Sequence, residues 1–538
     1  MNLTLVHQEI CITLIGVLIL LLDLCTPPAH KTKLGWLGIA ALALVLLSGL
    51  GPLPAIEPGD QVFHRGDAEV LTVTHTQVIN GHDHLHCTRP SGQPLDRTIP
   101  ANETLRSGFH GGITQDALAQ YFKTLSLTAA ILVLLLGIGF ASRLRDGVGE
   151  FFALTCFALV GMMFAAGAAN FVVLFAAIEL ITITFYVLTS FQRHRLRSLE
   201  AGVKYLILGA AASALMVYGI ALIYGATGTM SFNALQTPAG GNAQIFNLGL
   251  LLLLAGLGFK IAAVPFQVWA PDVYQGAPAP VTAFLAIGSK AAGVVLLLRL
   301  AAAGLQIHAS LLWPLFNWIA AATIAYGSLC ALRQRNLKRL IGYAGIASAG
   351  YLLLGIVALR TGHGHEGSQA ILYYLAGYLF AIIATFMVIS RVTREAEDED
   401  LSVLAGLYQR SPLMATVLTL AIVSLAGIPP LAGFLGKFLL IKPILAGAAQ
   451  GAAHTALIIV ALAGVVVSLY YYFIVIREIY WSPGINPHNR PEKLPVLEVD
   501  WATRLALIIC AIMLVALGLF PEPLLAWTRE AVTALALH

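Results

Sequence analysis

Apolar runs of about 20 residues recur along almost the whole chain and are separated by short polar loops. A run of this length is what a helix needs to cross the hydrocarbon core of a bilayer. The pattern therefore predicts an all-α polytopic membrane protein, a helical bundle rather than a barrel. The predicted spans, numbered 1 to 14 in chain order, cover residues 8–26, 34–53, 123–142, 150–169, 170–192, 199–225, 246–270, 278–302, 309–331, 337–360, 368–391, 412–446, 452–480 and 502–524.

Two of these spans are interrupted by proline, span 7 at Pro265 and span 12 at Pro429 and Pro430. Proline removes a backbone hydrogen bond and clashes with the preceding turn. In lipid, the freed backbone groups must be satisfied by protein or by water in a cavity. Because the broken spans stand five spans apart, they indicate two inverted five-helix repeats, with the transport path at the breaks.

This pattern also predicts how the chain is divided. The polar stretch after span 2 is the one sizeable insertion. The predicted segments are helices 1 and 2 (1–53), an extracytoplasmic insertion loop (54–120), helix 3 (121–145), a first inverted repeat of helices 4–8 (146–302), a second repeat of helices 9–13 (303–481), and a cytoplasmic loop with helix 14 (482–538).

Basic residues predict the orientation of the bundle. The loops after odd-numbered spans contain "HKTK", "SRLRDG", "QRHRLRS", "RQRNLKR", "SRVTRE" and "NRPEK". Loops after even-numbered spans, such as "AGAAN" and "GATGTM", are mostly poor in lysine and arginine, and the exception is the long loop 54–120, with Arg65, Arg89, Arg97 and Arg106. Cytoplasmic loops of membrane proteins carry the excess of lysine and arginine, and long loops escape this rule. We therefore expect both termini on the extracytoplasmic side.

Composition agrees with a membrane protein and says little about partners. Of the 538 residues, 58% are hydrophobic and 11% are charged, whereas a soluble domain carries about 25% charged residues. The net charge of +4 is small, and nothing resembles a nucleic-acid-binding patch. The six cysteines form no CxxC pair, and five of them are expected in the core or facing lipid. The N-terminus lacks a basic region, so we expect a retained span rather than a signal peptide.

The insertion at 54–120 contains an alternating stretch, "VFHRGDAEVLTVTHTQVING", which predicts a small strand pair. It also contains "HDHLHC", with His82, His84, His86 and Cys87. These side chains are of types that bind metals, but they also suit a solvated strand with histidines on one face. Since no second cluster of ligands is visible, we favour the solvated strand and expect no metal site.

Five ionisable residues lie inside apolar runs. Glu179 lies in "FAAIELITITF", Lys204 in "EAGVKYLILGAA", Lys260 in "GLGFKIAAVPF", Lys290 in "AIGSKAAGVV" and Lys437 in "PPLAGFLGKFLLI". A charged residue at the centre of a span costs about 2.5–3.5 kcal/mol on insertion scales, so each is a candidate for function. By contrast, three charged residues near span ends need no special role: Asp23, Arg299 and Arg360.

Each candidate also has a structural explanation. Lys204 follows Glu200 by four residues and could form an ordinary helix pair. Lys290 could extend towards the membrane surface, although both ends of its span are distant. Glu179 could be an isolated, hydrogen-bonded acid. The lysine of span 12 lies too deep for snorkelling, and the lysine of span 7 has the weakest structural explanation.

Taken together, the five residues predict a proton path. Burial disfavours the charged form of a lysine and a nearby carboxylate favours it, so such groups can be balanced between two states. A row of them, joined by water, can pass protons along. Because Glu179 and Lys204 flank one short loop, their helices are antiparallel neighbours, and we hypothesise an ion pair between them.

Several motifs resemble subunit N of the proton-pumping NADH:quinone oxidoreductases, the respiratory complex I family. "GLGFKIAAVPFQVWAPDVYQGAPAPVTAFLAIGSKA" at 256–291 is the most specific of these. The others are "RSLEAGVKYLILGAAASALMVYGIALIYGATG", "NLKRLIGYAGIASAGYLLLG", "LAGYLFA", "SLAGIPPLAGFLGKF" and "LYYYF". They follow in the matching order from about residue 120 to 525. Related antiporter-like subunits resemble "WLPDAH" where this chain has "WAPDVY".

The resemblance implies fourteen helices in two inverted repeats with a line of buried charges. By motif, Glu179 and Lys204 would form an ion pair that switches partner, and Lys260, Lys290 and Lys437 would carry the proton path. It also implies that this chain binds no cofactor. NAD, FMN, iron–sulfur clusters and quinone would belong to partner subunits, alongside neighbouring antiporter-like and small membrane subunits in a bacterial cytoplasmic (inner) membrane.

The chain departs from the family pattern in two places. Family members often have a histidine in span 10 where "GIASAGY" places Ser348, so one relay group is missing or replaced. The loop at 54–120 is also longer than is usual in the family, which suits a cap on a neighbouring subunit or a site for an accessory protein.

We therefore expect a proton-translocating membrane-arm subunit of an NADH:quinone oxidoreductase without a redox site of its own. Glu179 would be the switch acid and Lys204 its partner. Lys260 would be the central carrier, Lys290 the bridge between the halves and Lys437 the exit-side carrier. The alternatives are a subunit of a multisubunit sodium/proton antiporter or membrane-bound hydrogenase, a proton-silent scaffold, and a variant with ferredoxin as electron donor.

Overall fold

The structure is a computed structural model that describes most of the chain. The expected basic loop "NRPEK" lies outside the described part. The described residues are 3–51, 56–58, 60–64, 69–79, 82–89, 93–95, 98–100, 104–109, 111–144, 146–232, 235, 243–304, 309–360, 362–394, 399–447, 452–481 and 496–533.

The described residues form a bundle of long apolar helices. The helices are α1 (His7–Cys25), α2 (Thr32–Gly49), α3 (Ala117–Phe140), α4 (Val148–Gly167), α5 (Phe171–Thr189), α6 (Leu196–Thr227), α7 (Ala243–Ile261), α8 (Trp269–Gly276), α9 (Ala279–Phe284), α10 (Lys290–Ala303), α11 (Ala309–Ala331), α12 (Leu337–Val357), α13 (Gly364–Val392), α14 (Leu407–Arg410), α15 (Pro412–Ala426), α16 (Ala432–Ala446), α17 (Ala452–Tyr480), α18 (Trp501–Leu519) and α19 (Glu522–Thr533). A π-helical turn, Leu285–Ser289, joins α9 to α10 into one span. Short 3₁₀ turns lie at Leu3–Val6, Pro28–His30, Ala141–Arg143, Ala358–Arg360 and Leu401–Leu404.

The predicted spans are confirmed by these helices. In the described part of the chain, thirteen helices are long and apolar enough to cross a membrane. The remaining predicted span, span 12, consists of α15 and α16, each too short to cross alone. The amphipathic helix α19 was not predicted, and it packs on α3 and α13.

Polar side chains fix where several helices begin. Asp116, Asn170, Asn336 and Asp500 precede α3, α5, α12 and α18, and each side chain accepts a hydrogen bond from a backbone N–H of the first turn at 2.6–3.0 Å. Such N-caps satisfy donors that have no partner within the helix. The chain therefore re-enters the apolar bundle without leaving these N–H groups unpaired.

Both broken spans are confirmed. α7 ends at Ile261; the next residue, Ala262, has a φ of 60°, Pro265 follows, and α8 continues the span. α15 ends at Ala426; the next residue, Gly427, has a φ of 84°, the Pro429–Pro430 pair follows, and α16 continues the span. A residue in the left-handed region is a common helix stop, and proline then prevents the helix from restarting at once.

The centre of the bundle is formed by three spans. Three spans are buried along the whole of their apolar stretch: the span of α9 and α10, the helix α12 and the helix α13. In contrast, α1, α2, α6 and α18 bury only about a third of theirs. Many outward-facing residues of these outer helices are large and apolar, which suits lipid or an apolar neighbour in the membrane.

An antiparallel sheet lies between α2 and α3 and is larger than the predicted strand pair. Its order is β4-β3-β2-β1-β5-β6. A small core of apolar side chains, among them Val62, Leu71, Val73 and Leu85, packs inside it. The strands are β1 (Gln61–His64), β2 (Glu69–Ile79), β3 (His82–Thr88), β4 (Ile99–Pro100), β5 (Thr104–Gly108) and β6 (Ile113–Gln115).

The histidine cluster lies on β3 and does not assemble a metal site in the part of the chain that the structure describes. Cys87 is buried in the sheet core, while His84 and His86 are on the other face of the strand. His86 stacks on His75 with ring centroids 3.9 Å apart. The side chain of His82 lies outside the described part. Among the described residues, no group of three or more His, Cys, Asp or Glu side chains could hold a metal ion.

Candidate functional site

Lys437 lies at the break of span 12. Although it belongs to α16, its Nζ donates hydrogen bonds to the carbonyl oxygens of Leu425 at 2.8 Å and Ala426 at 3.1 Å. These are the last carbonyls of α15, which the helix itself leaves unpaired. The side chain is 6% exposed. The negative end of the α15 dipole therefore faces a buried ammonium group.

Lys260 lies at the break of span 7. It belongs to the last turn of α7 and is 4% exposed. Its Nζ has no hydrogen-bond partner among the described residues. Glu179 is the acidic residue whose charge acts on it. On the neighbouring helix α10, Gly293 allows the end of α7 to pack closely, because a Cβ there would lie 2.7 Å from Cγ2 of Ile261 and 3.3 Å from the Cβ of Lys260.

The two breaks place their lysines in a related way. In sequence, Lys260 precedes its proline and Lys437 follows its prolines. In the structure, Lys260 lies at the carboxyl end of α7, the first half-helix of its span. Lys437 belongs to the second half-helix of its span, α16, but its side chain contacts the carboxyl end of the first half-helix, α15. A cation near the carboxyl end of a helix is stabilised by roughly 0.3–1 kcal/mol at exposed sites, and by up to about 2 kcal/mol in partly buried geometries.

Lys290 lies in the central span, directly after the π-helical turn. Its Nζ donates to the carbonyl oxygen of Gly345 in α12 at 2.6 Å, and the side chain is 3% exposed. A π-helical turn widens the helix locally and is frequent at functional sites. Lys290 therefore connects the span of α9 and α10, in the first predicted repeat, with α12 in the second.

A tyrosine ring accompanies each of the three buried lysines. The Nζ atoms of Lys260, Lys290 and Lys437 lie 5.9, 5.0 and 5.1 Å from the ring centroids of three tyrosines. A ring face attracts a cation by about 2 kcal/mol or more where water is excluded. This feature was not predicted, although the sequence places tyrosines within each of the three spans that supply the rings. The rings belong to Tyr205, Tyr378 and Tyr351, in the same order.

Glu179 and Lys204 do not form the predicted ion pair in this structure. Their helices, α5 and α6, do pack against each other. However, the Glu179 carboxylate accepts a hydrogen bond from the Ser213 hydroxyl. Lys204 precedes Ser213 by nine residues, which is about 14 Å along a helix. Glu179 therefore packs against a part of α6 that lies well beyond Lys204, although the two residues stand ten and eight residues from the ends of their helices at the loop.

Lys204 instead pairs with two other acids, Glu200 of α6 and Asp272 of α8. Its Nζ lies 2.7 Å from Glu200 and 2.7 Å from Asp272, and its side chain is 42% exposed. The Glu200 contact is the ordinary helix pair that was one explanation for this lysine. Asp272 also binds Arg339 of α12 at 2.5 Å. It therefore connects α6, α8 and α12 in an open, charged pocket.

Asp272 was not predicted, because only charged residues inside apolar runs are candidates on the sequence pattern. The signal was an acid directly after a broken span, within "WAPDVYQGAP". A second contact ties the same region to α12, since Lys338 Nζ donates to the carbonyl oxygen of Ala277 at 3.2 Å and pairs with Glu399 at 2.9 Å. The second half of broken span 7 is thus held by two adjacent residues of α12.

Two buried ion pairs have structural roles. Arg299, which needed no special role as a residue near a span end, binds Asp116 with both terminal nitrogens at 2.8 and 3.0 Å. Its Nε donates to the carbonyl oxygen of Ala166 at 2.7 Å, which ties α10 to α3 and α4. Lys123 of α3 pairs with Glu9 of α1 at 2.7 Å, and both side chains are buried. These pairs hold helices together inside the bundle.

The chain is similar to known proteins in both sequence and fold. A family model described as "NADH:quinone oxidoreductase/Mrp antiporter, TM" matches residues 168–467. The NADH-quinone oxidoreductase subunit N of Desulfitobacterium hafniense is 39% identical over 442 residues, which cover 79% of this chain and 86% of that protein.

Solved structures show the same fold. A chain of respiratory complex I from Thermus thermophilus with bound aureothin matches with a TM-score of 0.71 and 31% identity, over 96% of this chain and 98% of that one. A chain of the Mrp complex from Dietzia sp. DQ12-45-1b matches with a TM-score of 0.74 over 100% of this chain and 98% of that one. At 20% identity, the latter is a likeness of fold alone.

Proposed function

This chain belongs to the subunit N family of NADH-quinone oxidoreductases, and on that premise we propose how its buried residues move protons. It is a multi-pass membrane protein and a proton-translocating membrane-arm subunit of a translocating oxidoreductase. We assign the proton path to Lys260, Lys290 and Lys437, in that spatial order from the first repeat to the second. Glu179 and Lys204 control the entry to this path.

The proposal rests on the burial and the contacts of the three lysines. All three are at most 6% exposed and lie in different spans. Within the described part of the chain, none of them pairs with a carboxylate, and their contacts are backbone carbonyls and tyrosine rings. A lysine held in this way can gain and lose a proton without breaking an ion pair. Three such residues in a row are suited to passing a proton across the bundle.

The contacts of Glu179 and Lys204 assign them different tasks. Glu179 acts on Lys260 from α5, and we propose that it sets the charge of the first carrier. Lys204 holds Asp272, which in turn holds Arg339, so its position affects α8 and α12 together. We propose that this network transmits movement between the two halves of the bundle. This proposal replaces a direct ion pair between Glu179 and Lys204.

The proposal includes the setting of the subunit. Electron transfer occurs in partner subunits, which bind NAD, FMN, iron–sulfur clusters and quinone, while this chain holds no redox centre. Its immediate neighbours are antiporter-like and small membrane subunits of the membrane arm. The complex lies in a bacterial cytoplasmic (inner) membrane with both termini of this chain on the extracytoplasmic side. The resemblance of the motifs and the basic loops after odd-numbered spans support this setting.

Reconstitution of the purified complex into sealed vesicles tests this function. We expect NADH oxidation with a quinone acceptor to drive proton uptake, and an imposed sodium gradient without NADH to drive none. Sodium-driven proton movement that needs no electron donor would instead identify a secondary antiporter. If the complex oxidised reduced ferredoxin but not NADH, it would be the variant that uses ferredoxin as its electron donor.

A further inference from the structure

Five buried tyrosines lie between Lys290 and Lys437, and we call them the tyrosine cluster. They come from three helices that surround the centre of the second repeat. Every one of them is at most 4% exposed. Tyrosines buried in a membrane bundle bring hydroxyl groups to a place where polar groups are costly. The members are Tyr351 of α12, Tyr374 and Tyr378 of α13, and Tyr471 and Tyr472 of α17.

The tyrosine cluster contacts a lysine at each end. The Nζ of Lys290 lies 5.0 Å from the ring centroid of Tyr378. At the other end, the Nζ of Lys437 lies 5.1 Å from the ring centroid of Tyr351, whose hydroxyl donates to the carbonyl oxygen of Ala461 at 2.8 Å. The cluster therefore fills the space between two consecutive members of the lysine row.

Tyr374 occupies the middle of this arrangement. Its ring stacks on that of Tyr378, one turn later on α13, with centroids 6.0 Å apart. The Ser348 hydroxyl of α12 interacts with the Tyr374 phenol. On its other side, Tyr374 abuts Gly436, the residue before Lys437, since a Cβ on Gly436 would meet its ring at 2.9 Å. Tyr374 thus joins the end near Lys290 to the helix that carries Lys437.

Tyr378 has an unused hydroxyl. Its oxygen is buried and has no hydrogen-bond partner among the described residues. It points to the same place as the Lys290 ammonium, because a Cβ on Gly345 would lie 3.4 Å from the hydroxyl oxygen and 3.6 Å from Nζ. Leaving such a group unpaired costs about 1–3 kcal/mol. A free tyrosine hydroxyl next to a proton carrier can both accept and donate a proton.

We propose that the hydroxyls of Tyr378 and Tyr374 relay a proton between Lys290 and Lys437. This inference rests on the proposed function of the two lysines. The Lys290 ammonium gives a proton to the Tyr378 oxygen, which releases its own proton towards Tyr374. Tyr374 likewise accepts one proton and releases another towards neutral Lys437. No hydroxyl keeps a charge, and rotation of the two O–H bonds resets the relay.

The ring of Tyr378 would also stabilise Lys290 without any proton transfer, and this role can be separated from the relay. Replacing tyrosine by phenylalanine keeps the ring and most of the packing but removes the hydroxyl. Tyr373 provides a matched control on the same helix. It is equally buried, and its hydroxyl donates to the carbonyl oxygen of Leu517, away from both lysines.

The experiment compares Tyr374→Phe, Tyr378→Phe, Tyr373→Phe and Lys437→Ala in the assembled complex in sealed vesicles. Proton uptake per NADH oxidised is measured together with assembly on a native gel. We expect Tyr374→Phe and Tyr378→Phe to lose the same fraction of proton uptake as Lys437→Ala, while Tyr373→Phe retains all of it.

Each other outcome has a defined meaning. Full proton uptake in Tyr374→Phe and Tyr378→Phe, with loss in Lys437→Ala, would overturn the relay and leave the lysine path intact. Full uptake in Lys437→Ala would overturn the proposed function of that lysine itself. Failure of both tyrosine variants to assemble, while Tyr373→Phe assembles, would show a structural role for the cluster and also overturn the relay.

Discussion

The ammonium group of Lys437 lies 2.8 Å from the carbonyl oxygen of Leu425, at the end of the half-helix that precedes its own. Lys260 lies in the last turn of α7, the first half-helix of the other broken span. Breaking a helix exposes carbonyl groups within the membrane. At the break of span 12 these carbonyls accept hydrogen bonds from Lys437, and at both breaks the helix dipole favours a cation. The broken helices thus explain why the chain retains lysines at such depth.

Gly427 is expected to be essential for the position of Lys437. Its φ of 84° favours glycine, and a Cβ there would lie 2.9 Å from the Cδ of Lys437. We predict that Gly427→Ala destabilises the subunit by about 1–2 kcal/mol through its backbone and also lowers proton uptake. Gly362→Ala is the matched control, since its φ is 78° and nothing lies within 4 Å. Equal proton uptake in the two variants would contradict this prediction.

Asp272 is expected to matter more for coupling than for stability. It binds Lys204 and Arg339 in a partly exposed pocket, and exposed ion pairs contribute only about 0–1 kcal/mol each. We predict that Asp272→Asn lowers the unfolding temperature slightly but strongly reduces proton uptake per NADH oxidised. Glu200→Gln removes only the helix pair of Lys204 and should leave proton uptake unchanged. The idea fails if the two variants pump equally well.

Glu179 is expected to act through its charge rather than its hydrogen bond. Its carboxylate acts on Lys260 and accepts a hydrogen bond from Ser213. We predict that Glu179→Gln reduces proton uptake while the complex still assembles, because the amide keeps the shape but loses the charge. Ser213→Ala removes the hydrogen bond, keeps the charge and should retain most of the uptake. The reverse order of effects would assign the role to the hydrogen bond.

Arg299 is expected to support folding and not proton transfer. It forms a fully buried pair with Asp116, and removal of one partner from such a pair costs about 3–5 kcal/mol. We predict that Arg299→Met lowers the amount of assembled complex and its unfolding temperature. The molecules that do assemble should show normal proton uptake per NADH oxidised. An unchanged unfolding temperature would show that the pair contributes little.

Much of the fold could be predicted because the bilayer dictates it. Helix length follows from membrane thickness, and the breaks at Pro265 and Pro429 follow from the chemistry of proline. The burial of Lys260, Lys290 and Lys437 could likewise be predicted, because each is far from the ends of its span. These features depend on position along a single helix, and position along a helix can be read from sequence.

The partners of the charged residues could not be predicted in the same way. Glu179 and Lys204 flank one loop at similar distances along their helices, but Glu179 faces Ser213, further along α6, so the packing of the two helices does not bring the charged groups together. Asp272 contacts Lys204 although 68 residues separate them. Neither this contact nor the tyrosine rings on the lysines follows from local pattern, because both depend on how distant helices pack.

The central claim is that Lys260 carries protons, and Lys260→Ala in sealed vesicles tests it most directly. Proton uptake is recorded with NADH oxidation, with assembly on a native gel, and with Lys442→Ala as the control for an exposed lysine of the second broken span. The account predicts that Lys260→Ala assembles, oxidises NADH and loses proton uptake, while Lys442→Ala behaves as the unaltered protein. Full proton uptake in assembled Lys260→Ala would contradict the account and make this lysine a structural residue.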